Sequence, residues 1–485
     1  MSVETRSHRV VVFGRRARGG VLLGLTRAQL VCVGIALTVA VPAIFVGQFG
    51  LLFMTAFLWA PPLGLAFVPV AGRKLVNWLP VVRDFSSRRR RGQTSYRKSV
   101  SKPRPAGTLA LPGRAASLRQ VVHEPTGAAM VHDPHERTLT AILRVVPGAW
   151  TLAEPEEQDR RAEAWGSTLA SFCTRNAGVT RLQVLERTLP ESGVAAEAYW
   201  TRHGRDDGSW EAESYKDLLS RAAPASERHD ALIAVVLDMS KADKKIRHAG
   251  GGVKGAADVL SQEMALLTSR LGGMDVRAAD YLNPESLAEV LRGAYDPAAL
   301  PLMARFPDVG RDLEHAGPVA IEEEWGHLRA DSAYHCVLWV SEWPRVAVAV
   351  NFLWPLLLTT GVRRTVSTTF RPVPTAKALR AVRAEIVEHE SEARQRAKHD
   401  VLETETDRRE WDDTRRREME LASGAGDMDY VGTVVVSAWD LDSLHAAVET
   451  ITTAAEKAHC EVRVLYGEQA AAFAAAALPL GRALR

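Results

Sequence analysis

A site for nucleotide hydrolysis needs a Gly-rich loop followed by Lys-Ser/Thr between a strand and a helix, so that backbone amides and the ammonium converge on the phosphates. The nearest approach is Gly250-Gly251-Gly252-Val253-Lys254-Gly255, which precedes a helical pattern and offers amides at a helix start. It lacks the spaced Lys-Ser/Thr, and no Gly-Lys dipeptide occurs in the 485 residues, so it reads as a connecting loop. Metal-capable residues gather at His132-Asp133-Pro134-His135-Glu136, with His123 nearby. The H-E-x-x-H pattern is absent, and Asp133-Pro134 dictates a turn between strands. The acidic run Glu322-Glu323-Glu324 reads as solvated. Cys32, Cys173, Cys336 and Cys460 lie more than a hundred residues apart. That spacing asks for no disulfide and suits unpaired thiols in a reducing compartment. No G-x-S-x-G or Cys/His nucleophile stands out. The sequence therefore assigns no catalytic, cofactor or metal residue, and the expected class is not an enzyme.

The elements carry more information than these motifs. A hydrophobic share of 46% and a charged share of 25% call for buried cores and exclude wholesale disorder or a small disulfide scaffold. The net charge of +3 hides two regions. Residues 1–104 carry a net +15 and residues 105–485 a net −12. Between Arg27 and Arg73 stand 45 uncharged residues, which as one helix would be about 68 Å long, twice a bilayer core. The run is expected to fold back at Gly47-Gln48-Phe49-Gly50 as a two-helix transmembrane hairpin, with arms Ala28–Val46 and Leu51–Val70. Its length excludes a secretory signal peptide. Basic residues on both flanks predict a multi-pass cell-membrane protein with both termini cytoplasmic. Arg73, Lys74, Arg88, Arg89, Arg90 and Arg91 would face membrane lipids, with Trp78 and Tyr96 as interface anchors. Nucleic acid is the less favoured partner of that cluster.

Five segments are expected: a basic N-terminus (1–27), the hairpin (28–72), a juxtamembrane linker (73–113), a first α+β unit (114–330) and a second (331–485). In the first, strands at Leu139–Val146, Val179–Leu185, Ala231–Leu237 and Met274–Ala279 alternate with helices near Glu156–Arg175, Val253–Leu271 and after Asn283-Pro284. In the second, strands at Tyr334–Val340, Arg364–Arg371, Val431–Val436 and Val462–Leu465 accompany an apolar helix at Val346–Leu358 and another at Leu441–Ala458, capped by Asp440. The grammar is that of two ferredoxin-like α/β sandwich units. Thr375–Leu421 interrupts the second unit with 11 basic and 13 acidic side chains. Leu379, Val382 and Ile386 form its apolar stripe, and pairs such as Glu392–Arg396 and Glu405–Arg409 support exposed helix. It is either one helix of about 70 Å or a hairpin bending near Lys398–Thr406.

Three stretches carry a resemblance: Ala141–Phe172 (AILRVVPGAWTLAEPEEQDRRAEAWGSTLASF), Val179–Pro190 (VTRLQVLERTLP) and Phe473–Gly481 (FAAAALPLG). With the Arg-flanked hairpin they resemble a membrane protein family of actinobacterial mobile elements. The hairpin is similar to the small two-helix membrane subunit of type IV secretion, and the body to the non-catalytic amino-terminal domain of the conjugation ATPase. The resemblance implies a structural component that docks a separate ATPase among other secretion subunits, in an oligomer, the chain stopping at Arg485 where a motor domain would begin. An EccE-like component of type VII secretion is the alternative, followed by a membrane-tethered enzyme.

Overall fold

A computed structural model describes residues 10–13, 25–45, 53–99, 107–150, 152–174, 178–190, 193–222, 227–306, 311–313, 315–398 and 405–484. They belong to two compact units. One comprises residues 14–94 and 466–468, the other residues 1–13, 95–465 and 469–485. In chain order the strands are β1 (Val10–Val11), β2 (Pro69–Val70), β3 (Arg73–Lys74), β4 (Ser95–Arg97), β5 (Arg119–His123), β6 (Ala128–Asp133), β7 (Thr138–Pro147), β8 (Val179–Pro190) and β9 (Glu227–Asp238). There follow β10 (Val276–Tyr281), β11 (Ala320–Glu323), β12 (Leu328–Ala330), β13 (Ala333–Glu342), β14 (Val348–Ala349), β15 (Arg363–Val373), β16 (Asp427–Ala438) and β17 (Glu461–Val464).

In the smaller unit, the uncharged run forms helices Arg27–Phe45 and Ala56–Phe67 that pack on each other. Thr26 and Gln29 make a reciprocal capping box at the first helix: Thr26 N donates to Gln29 Oε1 (3.1 Å) and Gln29 N to Thr26 Oγ1 (3.4 Å). The same Gln29 amide is buried and donates to Ala66 O at 2.8 Å, tying the two helices together. This overturns the multi-pass expectation: among the described residues no helix is long and apolar enough to cross a membrane. The physical reason is the break-up of the run. Its second helix has 12 residues, about 18 Å against a core of about 30 Å, and contains Pro61 and Pro62. The first opens on Arg27 and Gln29 and contains Pro42. The proposed turn at Gly47–Gly50 lies outside the described residues. Beyond it, β2 and β3 form a tight hairpin through Ala71 and Gly72, both at positive φ. Trp78 is buried, with its indole N–H on Val70 O.

The larger unit is α+β and, among the described residues, is built on one antiparallel sheet of 13 strands, ordered β4-β11-β12-β13-β16-β15-β8-β9-β7-β6-β5, with β10 on β7 and β17 on β13. Two similar halves are joined edge to edge. In the first, β7, helix Pro155–Thr174, β8, β9, helix Gly252–Gly272 and β10 give the spatial order β10-β7-β9-β8. In the second, β13, β15, β16, helix Leu441–Lys457 and β17 give β17-β13-β16-β15. Both are the 4-1-3-2 order of a β-α-β-β-α-β chain. The likeness goes further. β6 pairs with the start of β7 and β10 with its end, as β12 and β17 do on β13. The halves meet where β8 and β15 pair from Thr188↔Arg364 to Leu182↔Phe370, which places a pseudo-two-fold axis at Leu185↔Ser367. Residues 114–330 and 331–485 thus share one sheet.

Strand alternation sends successive side chains to opposite faces. Leu139, Ala141, Leu143, Ile233, Val235 and Leu237 meet helix Gly252–Gly272 on one face, while Cys336, Leu338, Val434 and Val436 meet helix Leu441–Lys457. Ile142, Leu185, Leu232, Val337 and Val435 point to the other face. It is covered by helix Pro284–Tyr295 and by a C-terminal strap, helix Gln469–Ala476 with the tail through Leu480. Fully burying a side chain of this size stabilises by about 1.5–3 kcal/mol. The strap's Phe473, Leu478 and Leu480 are all buried.

The apolar helix expected at Val346–Leu358 is not formed. Val348–Ala349 is strand β14, paired with β1, and only Trp354–Leu357 is helical, with a proline in its first turn. Pro355 lacks the N–H an interior helical position needs, which confines it to a helix start.

Candidate functional site

Each half carries a helical hairpin in the connection between the second and third of its four strands in chain order. Between β8 and β9 lie helices Val194–His203 and Trp210–Ala222, held together by Trp200 and Tyr215, ring centroids 4.8 Å apart. Between β15 and β16 lie helices Thr375–Lys398 and Glu405–Ala422. Because β8 and β15 are antiparallel, these two arms leave opposite ends of the sheet.

The second arm is the charged segment expected from the sequence, and it is a hairpin rather than one 70 Å rod. Ala378, Val382 and Leu421 are buried at its root, with Leu379 and Ile386 against them. Arg417 bridges Glu385 at 3.5 Å on the facing helix and Asp427 at 2.8 Å on β16. Farther out, His389 and Trp411 meet edge to face at 5.9 Å, and the Arg415 guanidinium lies 4.8 Å over Trp411. The bend at residues 399–404 and the side chains of Glu392–Arg396 and Glu405–Arg409 lie outside the described residues.

The first arm was missed from the sequence and has a different surface. Trp210 is 76% exposed and Tyr199 66%, with Tyr215 and Leu218 also exposed. Some of its charges pair locally: Lys216 with Asp206 at 2.5 Å and Arg221 with Asp217 at 2.7 Å. The available signal was the spacing of Trp210, Tyr215 and Leu218 in a stretch with few breakers. Exposed aromatics at an arm are the composition of protein interfaces, and charged side chains set orientation and encounter.

The chemistry-bearing motifs resolve into structure. Gly250, Gly251 and Gly252 all have positive φ and turn the chain between helices Asp243–His248 and Gly252–Gly272. A Cβ on Gly255 would stand 2.7 Å from Ile246 O, so that glycine lets the two helices touch. Asp133 Oδ1 accepts from the amides of His135 (2.9 Å) and Glu136 (3.1 Å), which makes the His132–Glu136 stretch an Asx-type turn. Glu136 pairs with Arg181 at 2.7 Å, and His123 contacts Asp258 and Thr126. Glu323 is buried and accepts from Ala470 N at 3.0 Å, anchoring the strap, while Glu322 is exposed on β11. Among the described residues no group of three or more His, Cys, Asp or Glu is placed to hold a metal ion.

The strap is fixed by two buried amides. Gln183 Nε2 donates to Ser367 Oγ (3.0 Å) and Ala475 O (2.9 Å), and its Oε1 accepts from Gly481 N (2.7 Å). Gln469 Oε1 accepts from Val337 N at 2.8 Å, and its Nε2 donates to Leu465 O at 2.9 Å. His335, beneath Phe473 at 4.7 Å, contacts Tyr295 O through Nε2 and Ser437 Oγ through Nδ1. A carbonyl only accepts, so Nε2 carries the proton and Nδ1 accepts from the serine. Burial pushes this imidazole down to about 4.

No protein-family model matches the chain, and no curated protein sequence matches it.

Proposed function

We propose that the protein is a non-enzymatic structural component of a type IV-like conjugative secretion machine, and that its larger unit seats a separate ATPase. The observation that supports this reading is the pair of arms at equivalent places in two similar halves. One presents aromatic side chains and the other alternating charge, the two materials from which an oriented protein interface is made. Exposed charge pairs on a helix each add only a few tenths of a kcal/mol, so folding alone accounts for little of the second arm's 11 basic and 13 acidic residues. In the smaller unit, Arg89, Arg90 and Arg91 are exposed beside Arg73, Lys74 and Arg88, and this segment contacts anionic lipid headgroups from the surface.

The test replaces residues 391–410 by a Gly-Ser turn. This leaves the His389–Trp411 contact, the Arg417 bridges and the buried root in place. The shortened protein should fold normally yet lose co-purification with a conjugation-type ATPase encoded beside it, together with transfer by the element. Full recruitment and full transfer by the shortened protein would sink the proposal.

A further inference from the structure

The sheet face that meets the strap changes character toward one end. Where the alternation that places Ile142, Leu185 and Leu232 inward continues by two residues, it brings Arg144 on β7, Arg187 on β8 and Asp230 on β9 to the same face. Arg228 follows Asp230 by two, and Thr365 of β15, opposite Arg187, is followed in the same sense by Arg363. Four arginines from four adjacent strands therefore share one face, and two of them reach one carboxylate. Asp230 Oδ1 stands 3.2 Å from Arg144 Nε and its Oδ2 3.5 Å from Arg187 Nη1. The first contact is an ion pair without hydrogen-bond alignment, since Arg144 Nε has no hydrogen-bond acceptor.

Among the described residues the neighbouring acids have closer partners, although Glu289 acts on Arg187 and Asp296 on Arg363 in the raising sense. Glu289 faces Arg311 at 3.6 Å, and Asp296 faces Arg292 at 2.7 Å and Ser332 at 2.5 Å. The row is left with a surplus of positive charge in a largely buried place. Arg187 has a side chain 3% exposed, and among the described residues its Nη2, Arg144 Nη2 and Arg363 Nε have no hydrogen-bond partner. Burial, reinforced by Arg228 and Arg144, depresses Arg187, and burial with Arg187 pushes Arg363 down to about 10. Arg364, the next residue and on the opposite face, is better provided: its Nη1 and Nη2 donate to the carbonyls of Leu357, Thr359 and Val362.

A buried cation with unmade hydrogen bonds is costly, and an anion removes both costs. The row is reachable from one side. Arg228 is exposed, Arg144 is 24% exposed, and Arg363 is half-buried with its guanidinium carbon 4.9 Å over the Trp439 ring. Several planar forks on one face, with Thr365 on the same face, offer more donors than a single carboxylate uses and suit a tetrahedral dianion.

We propose that Arg144, Arg228 and Arg363, backed by the buried Arg187, form a phosphate-binding site on the larger unit. The rim arginines hydrogen-bond the phosphate oxygens, and Arg187 contributes its field through the low-dielectric interior. The site is independent of the proposed ATPase docking.

The test uses full-length protein and thermal unfolding at constant ionic strength, with chloride as reference and inorganic phosphate, pyrophosphate, ATP and a short single-stranded oligonucleotide as probes. At least one phosphate-bearing probe should raise the unfolding temperature above the chloride reference, and the most effective one shows whether the group comes free, on a nucleotide or on a nucleic-acid backbone. Arg228→Gln with Arg363→Gln should weaken the apparent affinity at least tenfold while leaving the unfolding temperature in chloride nearly unchanged. Arg187→Met should raise the unfolding temperature in chloride and shrink the response to phosphate. The inference fails if no probe exceeds chloride. It fails equally if the response survives Arg228→Gln with Arg363→Gln but disappears when Arg89, Arg90 and Arg91 are changed to Gln.

Discussion

Replacing Gln183 by Met keeps the length and volume of a side chain at the centre of the sheet and removes only its polar atoms. Gln183 is fully buried, so no water takes over its partners. Two main-chain groups of the strap are stranded, the N–H of Gly481 and the C=O of Ala475. A buried polar group left unpaired costs about 1–3 kcal/mol, so the variant should lose roughly 2–6 kcal/mol. A native domain holds about 5–15 kcal/mol in all, which makes this a large fraction. Local escape is restricted at Gly481: its φ is +57°, and a Cβ there would meet Val236 Cγ2 at 2.2 Å, so the strap is closely seated on β9. Urea unfolding should show a lower midpoint at an unchanged slope, and amide exchange at Gly481 should accelerate more than at strand residues of β9. A loss below about 1 kcal/mol, with Gly481 still protected, would mean that the strap is held by apolar packing alone and that the amide clasp is incidental.

Stability should fall on acidification through His335. Its folded value of about 4 lies below the ordinary 6.5, so the unfolded chain takes up the proton first; the full contribution is present above about pH 6.5 and is lost progressively as pH falls toward 4, by up to about 3 kcal/mol. His335→Gln should flatten urea midpoints across that range. Burial pushes the Cys336 thiol up to about 12 and the Cys460 thiol up to about 11, and raises Cys173, so native protein at pH 8 should leave all three unalkylated while urea exposes them; mass spectrometry showing native labelling of Cys336 would contradict its burial. Purified protein should not turn over ATP, and turnover abolished by Lys254→Ala would restore the Gly250–Gly255 loop as a catalytic site.

Much of the larger unit was legible because its strands are short apolar alternations with marked breaks. Leu139–Val146, Ala231–Leu237 and Tyr334–Val340 fall inside β7, β9 and β13, and helices Gly252–Gly272 and Leu441–Lys457 lie within a residue of their expected bounds. Asp440 caps the latter as expected, accepting from Ser443 N at 2.8 Å. What escaped is non-local. The uncharged run looks like a spanning hairpin when only charge and length are counted, but its described helices have 19 and 12 residues, the first opening on Arg27 and Gln29 and both containing proline. The join of β8 to β15 unites residues 176 or more apart in sequence, and no periodicity encodes it. The arginine row is legible only in fragments. Arg144 and Arg187 each fall at an inward position of an apolar alternation, an anomaly that gains meaning once the pairing sets them beside Asp230.

The pseudo-two-fold join means that one polypeptide does what symmetric homodimers do with two. An isologous interface between identical subunits requires every surface to appear twice, unchanged. Here the partner half is covalently supplied, so its association cannot be diluted away, and the two copies are free to differ without breaking the contact that unites them. They do differ at the arms, aromatic on one and ionic on the other, while the pairing from Thr188↔Arg364 to Leu182↔Phe370 is kept. A chain organised in this way presents one molecule with two inequivalent handles facing apart. Any assembly that grips both acquires a direction, which a true dimer with identical handles could not give it.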